Sequence, residues 1–117
     1  MKRISVRYSP LFETQLKHLR DALKEKDLKL NRQLLKAIER EKDCLLFDPH
    51  RGTQIQKDRI PKEYVDAYGI VNLWKIDLPD YWRMLYTITG NELEIISILL
   101  EFMDHPQYDK VFGYRKK

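Results

Sequence analysis

From Trp74 to Ile88 the apolar residues fall on alternate positions. Trp74 and Ile76 lead, and Trp82, Met84, Tyr86 and Ile88 follow beyond Pro79-Asp80-Tyr81. A period of two predicts two strands, and successive side chains of a strand face opposite ways. Lys75 therefore points away from Trp74 and Ile76, and Arg83 away from Trp82 and Met84. An odd-length connection places both apolar sets on one buried face and both cations on the other; an even-length one splits them. A third strand, Leu93 to Phe102, follows the Gly90-Asn91 turn signal. Ile95, Ile96, Ile98, Leu99, Leu100 and Phe102 make it almost continuously apolar, as in a central strand covered on both faces.

The preceding chain supplies the cover. Ile4, Val6 and Tyr8 alternate with Arg3, Ser5 and Arg7, which predicts a half-buried strand. Ser9-Pro10 is a helix start, since serine accepts a backbone N–H at the N-cap and proline suits the first turn. Phe12, Leu16, Leu19 and Leu23 then recur at helical spacing. After the polar break at Lys24–Asp27, Leu34, Leu35, Ile38, Leu45 and Leu46 mark a second helix that stops before Asp48-Pro49. Its charges (Lys36, Glu39, Arg40, Glu41, Lys42, Asp43) read as a solvated face. From His50 to Tyr68 the pattern is irregular, punctuated by Gly52 and Pro61, with Lys57, Arg59 and Lys62 clustered inside it. A loop of that length in a small domain is more often functional than decorative. At the far end Asp104 is a candidate N-cap for a short helix through Tyr108 and Val111, and Arg115-Lys116-Lys117 reads as a solvated tail.

The expected fold is α+β. It consists of an N-terminal strand, a helical hairpin, a three-stranded antiparallel meander completing one sheet, and a short C-terminal helix. The hairpin covers one sheet face and leaves the other partly open. Trp74, Ile76, Trp82, Met84, Tyr86, Ile95 or Ile96, and Leu99 or Leu100 are expected to be buried with Phe12, Leu16, Leu35 and Ile38.

The 117 residues make one expected domain, 1–117, with enough chain for a core. A single cysteine, Cys44, excludes an internal disulfide and fits a reducing cytoplasm. No apolar run spans a membrane, and the first residues lack a signal-peptide core. The net charge of +4 favours an anionic partner. That excess lies in residues 1–48, with 12 Lys/Arg against 8 Asp/Glu, whereas residues 49–117 hold 10 of each. The candidate site is thus not simply the most basic stretch.

No phosphate-binding glycine loop, CxxC pair or zinc-spaced His/Cys cluster is present. His18, His50 and His105 are far apart in sequence, and Cys44 reads as core, so neither metal nor cofactor is expected. What remains is a sheet face with Lys75 and Arg83, the basic loop, and His105 with Tyr108 just past the sheet. Such a set suits a phosphodiester. Cations hold the phosphate and stabilise charge developing on its oxygens, while an imidazole moves protons near neutrality. RNA brings its own nucleophile in the ribose 2′-OH. The plainer alternatives are structural: Lys75 pairs with Asp77, Arg83 bridges Asp77 or Glu94, His105 caps the last segment, and Tyr108 packs in the core.

The segments LWKID, YWRMLYTI and DHPQYDKVFGY follow two helices and a GTQIQKDRIPKEY loop. In that order they resemble the RelE/ParE toxin superfamily, and more closely an archaeal-type branch of RelE-like proteins. The resemblance covers nearly the whole chain and is most specific from Ile60 to Tyr114. It implies a RelE-like fold and a toxin that cleaves mRNA, typically in the ribosomal A site. It also implies a cognate antitoxin whose peptide wraps the toxin. Lys75 matches a basic position of the middle strand, and Arg83 the arginine of the family's Y-R-L-V-Y strand. His105 or Tyr108 falls where the family carries its C-terminal Arg, His or Tyr groups. Asp77 departs from the pattern, because some relatives have a second lysine there. Lys57, Arg59 and Lys62 are the loop's candidates for supplying the missing charge to RNA, with Glu63 a distant candidate base. The other readings are a gyrase-directed toxin of the same fold, an RNA-binding module without catalysis, and a degenerate toxin kept for protein interaction. A double-stranded-RNA-binding domain fits poorly, having one helix before its sheet where two are predicted here.

Overall fold

Residues 3–8 and 94–99 run side by side and parallel, although almost the whole chain separates them. This pairing organises the molecule, seen here in a computed structural model that describes residues 2–113. The tail Arg115–Lys117 lies outside the described residues. Strand β1 (Arg3–Tyr8) leads into helices α1 (Pro10–Glu25) and α2 (Lys29–Leu45). A two-residue strand β2 (Thr53–Gln54), a 3₁₀ turn (Lys57–Arg59) and helix α3 (Lys62–Tyr68) come next. Strands β3 (Trp74–Leu78), β4 (Trp82–Gly90) and β5 (Glu94–Met103) and helix α4 (His105–Phe112) complete it. The sheet order is β1-β5-β4-β3-β2, so the most apolar strand sits inside. The fold is α+β and RelE-like, with one strand more than the alternation alone predicts. Among the described residues no helix is long and apolar enough to cross a membrane.

The helical hairpin packs on one face. Ser9 caps α1 by accepting the Phe12 N–H at 3.0 Å, and its own hydroxyl donates to the Leu100 carbonyl at 2.6 Å. One residue thus ends β1, starts α1 and fastens both to β5. Further along, the Gln15 amide exchanges two hydrogen bonds with the Phe102 backbone, at 2.8 and 2.9 Å. It substitutes for strand pairing beyond the end of β1. Phe12, Leu16, Leu34 and Ile38 meet Ile76, Leu78, Met84, Tyr86 and Leu99 in the first core. Trp74, Trp82 and Leu35 were expected to be buried and are half-buried at its margin.

The second face is not left open to the extent expected. A smaller core of Ile55, Tyr64, Ile70, Leu73, Leu85, Leu100, Met103 and Tyr108 covers much of it. The cover comes from α3 and α4, and α3 lies in the stretch predicted to be irregular. Pro61 starts it, Lys62 and Asp66 pair one turn apart at 2.7 Å, and Gly69 ends it at a φ of +65°. A β-bulge makes the second core possible. Leu85 pairs with Glu101 and Tyr86 with Leu99, so Leu100 is the extra residue. Leu100 and Glu101 consequently both face α3.

Two further departures concern α2. Leu46 lies beyond its last turn and is exposed, and Cys44 is half-buried. Glu41, placed on the solvated face by its neighbours, is buried at 7% exposure. Arg51 reaches back and puts its Nε 2.8 Å from the Glu41 carboxylate, which offsets the cost of burying that charge. The ion pair also anchors the segment after α2. Next to it, Tyr86 donates to the Pro49 carbonyl at 2.7 Å and accepts the Gly52 N–H at 3.1 Å.

Candidate functional site

The connection Pro79–Tyr81 has three residues, and Leu78 pairs with Trp82, Asp77 with Arg83 and Lys75 with Leu85. This odd-length turn puts Lys75 and Arg83 on the same sheet face, opposite the helical hairpin. Turning so tightly has a cost, since Asp80 and Tyr81 both take left-handed backbone conformations, with φ of 61° and 62°.

The two cations converge on one oxygen. Lys75 Nζ and Arg83 Nε each lie 3.1 Å from Asp77 Oδ1. Lys75 donates a hydrogen bond to it, whereas the Arg83 Nε–H, shielded from solvent, is not aligned with that oxygen or any other acceptor among the described residues. The side chains of Lys75 and Arg83 keep 24% and 16% exposure, against 66% for Asp77, so the carboxylate lies on the solvent side of both. The Arg83 guanidinium also stands 5.4 Å from the ring centre of Tyr108.

Helix α4 carries Tyr108 to that point. Asp104 caps it, accepting the Gln107 N–H at 3.0 Å, and Pro106 occupies its first turn. Tyr108 is buried at 4% exposure, with Phe112 stacked on it at 4.4 Å. A groove of about 360 Å³ is lined by Thr53, Gln54, Ile55, Gln56, Arg59, Lys75 and Tyr108. It brings together Lys75, Tyr108 and Arg59, and Arg83, which does not line it, stands beside that tyrosine. Lys57 and Lys62 do not line it, and Lys62 is engaged with Asp66. His105 does not line it either. Its half-exposed imidazole has Nε2 3.2 Å from Asp109 Oδ2, and the ring is 6.1 Å from that of Tyr81.

Thr53, Gln54 and Gln56 escaped the reading of the sequence. The signal was the alternation of Thr53-Gln54-Ile55-Gln56 around one apolar residue, too short to register as a strand. Thr53 pairs with Lys75, and Gly52 permits this approach. A Cβ at Gly52 would lie 2.7 Å from the Lys75 carbonyl oxygen and 2.8 Å from the Tyr86 hydroxyl.

Three buried or half-buried titratable groups have shifted equilibria. Burial raises the Glu101 carboxyl above its usual range, against the opposing effect of the hydrogen bond it accepts from Tyr64. The Tyr64 phenol is driven up by burial and by that carboxylate. Burial also pushes Tyr86 to about 12.

A five-stranded mixed sheet with a helical hairpin on one face and a cation pair on the other defines a small toxin domain of the RelE/ParE superfamily. Residues 6–104 match the family model of the ParE toxin of type II toxin-antitoxin systems, and the chain belongs to that family. Membership makes it the toxin of a pair whose other member is a cognate antitoxin. No curated protein matches the chain.

Proposed function

We propose that this toxin is an endoribonuclease that cuts mRNA held in the ribosomal A site, using no metal ion. The reading rests on one groove lined by Lys75, Arg59 and Tyr108, with Arg83 meeting Lys75 at Asp77 and standing 5.4 Å from the Tyr108 ring. In the proposed reaction the 2′-oxygen attacks phosphorus as the bond to the 5′-oxygen breaks, leaving a 2′,3′-cyclic phosphate and a 5′-hydroxyl. One proton leaves the 2′-OH and one reaches the 5′-oxygen. Lys75 and Arg83 stabilise the extra negative charge on the phosphate oxygens. Tyr108 holds the Arg83 guanidinium in place, and its phenol is a candidate proton donor. His105 is the proton-moving group, oriented by Asp109 as a carboxylate orients a catalytic imidazole. Arg59, with Lys57 and Lys62 further out, attracts the RNA backbone. The antitoxin silences the protein by covering this face or displacing the segment from Asp104 onward.

The second reading is a gyrase-directed toxin, favoured by the match to the ParE model and by the distance of His105 from the groove lining. Inducible expression with mapping of cellular 5′ ends separates the two. Growth arrest with new 5′-hydroxyl ends in mRNA supports cleavage. Arrest with intact mRNA and lost supercoiling supports the gyrase reading.

A further inference from the structure

The point held by Asp77 Oδ1 is the natural seat for an anion. Two cations on adjacent strands approach it to 3.1 Å each, and the strand register fixes both. The carboxylate fits the seat imperfectly, because the Arg83 Nε–H is buried and aimed at no acceptor. A buried donor without a partner is costly, and an anion better matched to both donors would satisfy it. The carboxylate itself is two-thirds exposed, so it can swing into solvent at little cost, whereas the Lys75 and Arg83 side chains are mostly buried.

We infer that this seat is the phosphate-binding point of the toxin and that Asp77 is its resident competitor. A non-bridging oxygen of an RNA phosphodiester takes the place of Asp77 Oδ1, and the carboxylate turns outward. This rests on the endoribonuclease reading for its ligand, but it concerns binding and can be tested apart from cleavage. Exchanging one single negative charge for another adds little net attraction. Asp77 therefore acts as a specificity-determining residue. It weakens the hold on an isolated phosphate, so stable engagement requires RNA that also reaches Arg59 and the rest of the groove.

The test is binding of a short single-stranded oligoribonucleotide, 2′-O-methylated so that it cannot be cut, across a series of salt concentrations. Asp77→Asn should bind roughly tenfold more tightly at low salt. Its log–log salt dependence should steepen, by at most roughly 0.7, because seating the phosphate no longer frees a carboxylate that takes up a counterion of its own. Asp77→Ser should behave alike, which guards against the asparagine amide still holding Lys75. Adding Arg83→Gln to Asp77→Asn should abolish the gain. The inference is overturned if both Asp77 variants keep the wild-type midpoint of thermal unfolding yet bind no more tightly, or with an unchanged slope. It is also overturned if neither wild type nor variant binds. Cutting of the unmethylated oligonucleotide is scored separately. Tighter binding without cutting by either chain upholds the anion seat and removes the endoribonuclease reading. Cutting with no effect of Asp77 on binding does the reverse.

Discussion

The Tyr64 phenol donates its hydrogen to the Glu101 carboxylate, tying α3 to β5, an interior strand of the sheet. Burial raises the Glu101 carboxyl in the folded state, so folding favours its protonated form. The stability this confers is complete below the unfolded value of 4.5 and is lost as pH rises through the raised folded value. Glu101→Gln keeps an acceptor for Tyr64 and removes the charge. It should stabilise the protein at neutral pH, and the gain should vanish below 4.5. A gain of about 1 kcal/mol corresponds to roughly 4 °C in the unfolding midpoint of a domain this size. Circular dichroism melts across this pH range measure it, and a gain that does not vary with pH would count against the assignment.

Gly52→Ala tests the anchor beside the groove. The added Cβ would meet the Lys75 carbonyl oxygen, which belongs to the sheet and cannot give way as a flexible side chain would. Overpacking of this kind costs about 1–3 kcal/mol. Gly69→Ala is the control, since nothing lies within 4 Å there and only its φ of +65° opposes the change, at about 1 kcal/mol. Chemical denaturation should rank Gly52→Ala as the more damaging.

Tyr81→Gly should stabilise the molecule. A left-handed backbone costs a non-glycine residue roughly 1–2 kcal/mol, and the flexibility of glycine in the unfolded chain returns roughly 0.5–1 of that. The ring is 71% exposed, so little packing is lost. A net gain of about 0.5–1 kcal/mol is expected from equilibrium unfolding; a net loss would show that the ring contributes more than its exposure indicates.

Arg83→Ala separates chemistry from binding. If its charge acts mainly in the transition state, single-turnover cleavage should fall by roughly 10²–10³ while affinity for uncleavable RNA changes little. Lys75→Ala should have the smaller effect, because its side chain is the more exposed of the two, at 24% against 16%, and its charge is better screened by water. Equal losses of rate and affinity in Arg83→Ala would instead point to a binding module.

Much of this arrangement was legible because it depends on local periodicity. The alternation around Pro79–Tyr81 and the three-residue connection suffice to put Lys75 and Arg83 on one face, and both capping residues, Ser9 and Asp104, lie where the sequence signals them. The pairing of both cations with Asp77 was legible as the structural alternative. Helix α3 was not, because its seven residues give too few turns for a periodic signal and two of them are exposed charges that pair with each other. The bulge at Leu100 was invisible, since it breaks the period of two inside a run where every neighbour is apolar. Glu41 was misplaced for a different reason. Only the fold brings Arg51 back to it, and without that partner a charged position in a charged run belongs in water. The fold of the candidate site thus follows from strand parity, whereas its cover depends on contacts between segments remote in sequence.

The pairing of β1 with β5 also has a consequence for synthesis. The Ser9 hydroxyl finds its acceptor, Leu100, 91 positions later in the chain. At roughly 5–20 residues per second, the ribosome needs roughly 5–20 s to deliver that partner. Until then β1 has no strand to pair with and α1 lacks its anchor on β5, so an interrupted nascent chain cannot close the sheet that carries Lys75 and Arg83. The complete sheet is therefore withheld until Leu100 has been made, and each round of synthesis gives the antitoxin that interval in which to be present first.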